Sequence, residues 1–193
     1  MRKKHFLHRL SAFAIVLATL LACSNASDEF CRRPCYVIID NSTHLDATLA
    51  SAMNVMSPGI FCMIQKTQKG GATYYHVASN QAQSSDIQWN AKDQKVTSIV
   101  GMNNGIIVGF GNIDNPAVFY AYDRECPNCF DPDGIPVKSR PLTLNEKGHA
   151  TCGVCARVYD MNNRGYVISG EGGKPLNRYP ASTSGPYGVL AVQ

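Results

Sequence analysis

Two C-x-x-C turns, CPNC at 126–129 and CGVC at 152–155, are separated by the stretch 130–151. If their four sulfurs serve one centre, the chain between them must double back until the two turn tips meet. Each turn places two thiols side by side and lets backbone N–H groups point at the sulfurs. Four converging thiolates complete a tetrahedral shell for Zn2+ or a single iron, and they can also ligate a 2Fe–2S cluster. The spacing is slightly wider than that of a zinc ribbon, and FDPDGIPVKSRPLTLNEKGHA supplies the intervening loop. Cys126, Cys129, Cys152 and Cys155 are therefore the candidate metal ligands.

The beginning of the chain bears on whether those thiols stay reduced. Arg2, Lys3, Lys4 and Arg9 precede LSAFAIVLATLLA, an uncharged apolar run from Leu10 to Ala22. That is short of the ~20 residues of a membrane span and has the order of an export signal. It closes on LLAC and resembles the bacterial lipobox, which implies cleavage before Cys23, lipidation of that cysteine and a polar tether. The expected organisation is a signal peptide at 1–22, a lipidated N-terminus and tether at 23–30, and one domain at 31–193. The domain would then be held on the inner or outer bacterial membrane, outside the cytoplasm.

Removing the signal also changes the charge. The chain has 18 Lys+Arg and 14 Asp+Glu. Arg2, Lys3, Lys4 and Arg9 all lie in the signal, which has no acid, so bases and acids balance from Cys23 onward. A balanced chain gives no electrostatic argument for a nucleic-acid partner. The segment from Cys23 to Gln193 is long enough for a hydrophobic core without disulfide support.

Past Phe30 the chain reads as all-β. Runs rich in Val, Ile, Tyr and Phe recur between Gly, Asn, Pro and Asp clusters: CYVII, IFCMI, TYYHVA, KVTSIV, GIIVGF, AVFYAY, ARVYD and YVIS. THLDATLASAMNV (43–55) has the Ala and Leu content of a short helix. A loop-rich insertion at about 123–160 carries the two knuckles.

The layout of strand, knuckle, strand resembles the Rieske iron–sulfur family. GIIVG and FYAYD match strands before the first ligand loop, and VYDMNNRGYVISGEGGKPLNRYPA matches the segment after the second. The resemblance spans about 96–183 and is best over Thr151–Pro180. It implies a β-sandwich base with a small two-knuckle metal-binding subdomain, a 2Fe–2S or other iron centre, and electron transfer with a redox or envelope partner. It also implies that the Gly-rich loop 169–175 covers the ligand site, with Pro175 fixing its backbone. In that family each loop gives one Cys and one His. Cys126 and Cys152 match the cysteines, the first His position falls on Asn128 and the second on Cys155, so neither histidine is present.

Export bears on what the four sulfurs hold. The signal has no Arg-Arg pair, since Arg9 is followed by Leu10, so a cluster inserted before export is not indicated. In an oxidising envelope the alternatives are structural zinc or disulfides, within each knuckle or across the two. A scaffold or binding module is the second functional reading.

Among the other cysteines, a Cys35–Cys62 or Cys31–Cys62 disulfide with one buried thiol left over is expected. His149, shortly before Cys152, is an alternative ligand or an exposed loop residue. Trp89 with Tyr74 and Tyr75 is either an aromatic binding surface or core packing. No nucleophile motif or carboxylate pair indicates an enzyme.

Overall fold

In GIIVGF, Ile106 and Val108 point to one side and Ile107 to the other, and all three are fully buried. Side chains alternate along a strand, so such a strand must be covered on both faces. The computed structural model describes residues 29–193 and meets that demand with antiparallel sheets stacked on either side.

The chain begins with β1 (Val37–Asp40), followed by two short helices, α1 (Asn41–His44) and α2 (Ala47–Ala52). The Asp46 carboxylate caps α2 by accepting the Leu49 N–H at 2.7 Å. Strands β2 (Phe61–Lys69), β3 (Ala72–Ser79) and β4 (Ser84–Gln88) form a meander, and β5 (Ile106–Phe110) and β6 (Phe119–Asp123) follow. Next come β7 (Leu142–Leu144), β8 (His149–Cys152), β9 (Val158–Asp160) and β10 (Tyr166–Ser169). The chain closes with β11 (Arg178–Tyr179), β12 (Ala181–Thr183) and β13 (Val189–Val192).

These strands form a six-stranded sheet ordered β11-β6-β5-β2-β3-β4, a three-stranded sheet β1-β13-β12 and a four-stranded sheet β10-β9-β8-β7. The fold is all-β. No helix among the described residues is long and apolar enough to cross a membrane.

Two cores follow from the alternation. On one face of the six-stranded sheet, Cys62, Ile64, Tyr75, Val77, Ile106, Val108 and Ala121 meet Val37, Ile39, Leu190 and Val192 of the three-stranded sheet. Leu49, Ala52 and Met53, from α2 and its end, join this core. On the other face Phe61, Ile107, Tyr120 and Tyr122 meet Leu142, Cys152 and Tyr159 of the four-stranded sheet. Tyr122 keeps its hydroxyl satisfied by donating to the Met161 carbonyl at 2.8 Å. The knuckle sheet is thus fixed to the base by burial of aromatic rings.

Two expectations change, for KVTSIV and for the Cys62 disulfide. KVTSIV, expected as a strand, holds only a 3-10 turn at Asp93–Lys95 and a single bridge between Ile99 and Tyr36. Its Val and Ile content suits a strand, but the described residues pair it only through that bridge. Of the two readings of Trp89, core packing holds: the ring packs on the sandwich core, 5.0 Å from the Tyr75 ring, with the Lys66 ammonium 4.9 Å above it.

The disulfide through Cys62 is not formed. Cys31, Cys35 and Cys62 are free thiols. Cys62 lies in β2, where its Sγ donates to the Thr48 carbonyl at 3.2 Å beside α2, whereas Cys35 sits under the turn at Gly101. The two sulfurs face different elements.

Ile107 is the one apolar side chain by which β5 reaches the knuckle-side core. Ile107→Ala is expected to lower unfolding free energy by about 3 kcal/mol, read as a shift in urea midpoint at unchanged slope.

Candidate metal centre

Each knuckle is the direct continuation of a strand. The first follows β6: Asp123 ends the strand, and Arg124 and Glu125 lead into Cys126. The second caps the β8–β9 hairpin, where Cys152 N–H donates to the Arg157 carbonyl and Ala156 N–H to the Cys152 carbonyl, both at 3.0 Å. Strand β7 lies between them. Leu142 pairs with Cys152 in register and donates its N–H to the Arg124 carbonyl at 2.9 Å, and Cys126 N–H donates to the Arg140 carbonyl at 2.9 Å.

Glu125 secures that junction. It is fully buried and accepts hydrogen bonds from Asn103 Nδ2 (2.8 Å), Arg124 Nη2 (3.0 Å), Ser139 Oγ (2.7 Å) and the Arg140 N–H. Burial works against its ionised form, but those donors outweigh it and hold the carboxyl below the usual range. Three of them come from outside the first knuckle, so Glu125 ties the loop at 138–141 to the approach of Cys126.

With both tips so placed, the four sulfurs converge: all lie within 4.8 Å of one another. Cys126 Sγ and Cys155 Sγ, from opposite knuckles, are 3.8 Å apart. Sulfurs bound at ~2.3 Å to one tetrahedral ion stand about 3.8 Å apart along each edge. All four are free thiols, with neither the within-knuckle nor the cross-knuckle disulfides. Cys126 and Cys152 are buried in the knuckle-side core, while Cys129 and Cys155 are half-buried against it. Four cysteines within metal-binding distance, closed on all sides by sulfur, are a site that can hold a metal ion.

Hydrogen-bond donors line the sulfurs, and burial works against them. Backbone N–H groups of Asn128 and Arg157 reach Cys126 and Cys155, and Val154 N–H reaches Cys152 Sγ at 3.4 Å. The Tyr159 hydroxyl accepts from Asn128 Nδ2 at 2.9 Å and lies 3.2 Å from Cys126 Sγ, to which it can donate. Burial pushes the Cys126 thiol up, against Tyr159 and the Asn128 amide. Burial and the adjacent Cys155 and Cys126 push Cys129 up to about 12. Burial also opposes ionisation of Cys155, but the amide and guanidinium of Arg157, with Cys129 and Cys152, outweigh it and bring the thiol down to about 6.

A third loop closes over the tips. Asn128 bonds both backbone groups of Lys174, Nδ2 to its carbonyl and Oδ1 from its N–H, each at 2.9 Å. Arg157 Nε donates to the Glu171 carbonyl at 2.8 Å and Nη2 to the Gly172 carbonyl at 3.1 Å. Gly173 has no room for a side chain: an added Cβ would lie 2.5 Å from Asn128 Oδ1. The loop 171–174 is therefore clasped by one side chain from each knuckle.

The sequence pointed to all four ligands but not to Glu125, Tyr159 and Arg157, nor to the clasping role of Asn128. The only signal was proximity in sequence to the cysteines. His149 does not join the sulfurs; it lines an open groove of about 640 Å3 with Ser79, Asn80, Leu144 and Asn145. Cys23 lies outside the described residues. No family model matches the chain, and no curated protein matches it.

The arrangement generates two expectations. Ala156 has φ of 57°, the left-handed region in which a Cβ is unfavourable, and this turn aims the Arg157 N–H at Cys155. Ala156→Gly is expected to stabilise the protein by about 1 kcal/mol, seen in thermal unfolding of the metal-loaded chain. The second concerns pH. Above about 6 Cys155 is already a thiolate; below it, an incoming ion must displace that proton as well. Apparent metal affinity should therefore fall more steeply with acidification below about pH 6 than above it, measured by competition with a chromophoric chelator.

Proposed function

We propose that this protein is an envelope lipoprotein carrying a single iron on Cys126, Cys129, Cys152 and Cys155, and that it passes single electrons at the membrane surface. The spacing of the sulfurs carries the reading: 3.8 Å across the knuckles and 4.8 Å at most suit one tetrahedral ion. In a 2Fe–2S cluster the thiolate pairs sit on different irons and stand apart by more than one tetrahedron edge, so these tips would have to open to take one. The ion would gain one electron, going from Fe3+ to Fe2+, with its ligands unchanged. Cys129 and Cys155 are half-buried rather than sealed in, and Val154 between the second pair is 60 % exposed, which gives a partner a short approach to sulfur.

The resemblance to the Rieske family supports an electron-transfer role but not the family's ligand set. Asn128 is engaged with Lys174 and Tyr159, and four thiolates put more negative charge on the centre than two thiolates and two imidazoles. The expected potential is accordingly lower than that of the family. Lipidation at Cys23 would hold the domain at the envelope surface, within reach of a redox protein or another envelope protein.

The second reading is a structural zinc clip in a non-redox binding module. It is favoured by the closure of the site with four protein ligands, the arrangement of structural zinc centres.

Metal analysis, the visible spectrum and a thiol count on one anaerobic native preparation decide between them. One iron per chain with visible bands, abolished in Cys152→Ser while the fold persists, is the expected result. Two irons with acid-labile sulfide would replace the single ion by a cluster. A colourless protein with one zinc, whose Tm falls sharply in Cys152→Ser, would end the electron-transfer reading. Cys23→Ser is expected to move the protein from the membrane to the soluble fraction.

A further inference from the structure

The turn FCRRPCYV has an unassigned pair of thiols at its ends. Cys31 N–H donates to the Arg178 carbonyl at 2.7 Å, which holds the start of the turn against β11. Tyr36 and Ile99 exchange both backbone hydrogen bonds at 2.8 Å, which holds its end. Pinned at both ends, the turn lays Cys31 half-buried against the sandwich core and Cys35 within it, 6 % exposed.

The buried thiol has polar company. The Gly101 N–H points at Cys35 Sγ, and the next amide, Met102, donates to Asp123 Oδ2 at 2.7 Å. Tyr179 donates its hydroxyl to the same oxygen at 2.7 Å. Asp123 is fully buried, and burial raises its carboxyl above the usual range against those donors. Cys31 and Asp123 both act electrostatically on Cys35, and both cysteines act on Tyr179. The Arg33 guanidinium of the same turn pairs with Asp133. Cys62 shares none of this: its neighbours are Thr48, Ser51 and Ala52.

We propose that Cys31 and Cys35 form a dithiol–disulfide redox pair, separate from the four-thiolate centre, with Asp123 accepting the proton of the buried thiol. The partner is a disulfide. The Cys31 thiolate attacks one sulfur of it, the S–S bond breaks, and one thiolate leaves. Cys35 then passes its proton to Asp123 and attacks Cys31 Sγ in the mixed disulfide, expelling the second thiolate, which takes up the proton. Two protein thiols and one disulfide become one protein disulfide and two thiols. Exposure sets the roles: Cys31 is the half-buried attacking sulfur and Cys35 the buried resolving one. The inference does not rest on which metal the knuckles hold.

The test is to incubate the full, metal-loaded chain in glutathione redox buffers, measure bound metal on a gel-filtered aliquot at neutral pH, and quench the remainder with acid for intact mass and peptide maps. The expected product has lost two hydrogens, yields a peptide joining Cys31 to Cys35, and retains its metal. Cys35→Ser should stop at a glutathione adduct on Cys31, and Cys31→Ser should leave Cys35 unmodified. Asp123→Asn should slow ring closure at least ten-fold while leaving the final ratio of oxidised to reduced protein unchanged. A bridge involving Cys62, a persistent adduct on wild-type Cys31, or no oxidation before metal is lost would overturn the pair. Equal closure rates in Asp123→Asn would remove Asp123 from it.

Discussion

Strands β5 and β6 are buried on both faces, and the placement of the knuckles depends on that. Ile106, Val108 and Ala121 belong to the sandwich core, while Ile107, Tyr120 and Tyr122 belong to the core beneath the knuckle sheet. A sheet wetted on one side would leave the second set exposed and the four-stranded sheet without support. Because β6 runs straight into Arg124, Glu125 and Cys126, the first knuckle leaves the base at a fixed position. The second is brought to it through β7, whose Leu142 touches both approaches.

Charge is the second constraint. A divalent ion with four thiolates carries two net negative charges, and a half-buried site must offset them locally. Here backbone amides, the Tyr159 hydroxyl and the Arg157 guanidinium stand where they would offset the charge of a bound ion. Arg157 also anchors the 171–174 loop, so electrostatic compensation and closure over the tips are performed by the same side chain. Asn128 plays the matching part on the first knuckle. Their hydrogen bonds leave the cysteines to supply all four metal-binding atoms of the site.

Legibility in the sequence followed local chemistry. Strands β5 and β6 were readable as strands because continuous apolar runs such as GIIVGF have few other uses, but the covering of both their faces was not read. SSDIQ was not: β4 is an outer strand with mostly polar, partly exposed residues, and nothing in its composition distinguishes it from a loop. The very short strand β7 also lacked a periodic signal. KVTSIV erred in the other direction, because Val and Ile content marks a segment able to be a strand without providing a neighbour. Pairings through space were the least readable. Cys62 and Cys35 are both apolar-flanked cysteines in sequence, and only the direction of their side chains separates them.

The order of residues by itself determined the all-β class, the strands in GIIVGF and AVFYAY and the identity of the four clustered sulfurs, because each is written in adjacent or regularly spaced side chains. Tertiary structure alone decided that the sulfurs meet within a single tetrahedron's reach, that Asn128 and Arg157 clasp one loop from opposite knuckles, and that Cys35 faces Asp123 rather than Cys62. Those are distances and directions between segments far apart in the chain. They are set by which faces of a sheet are covered, and no local pattern encodes that.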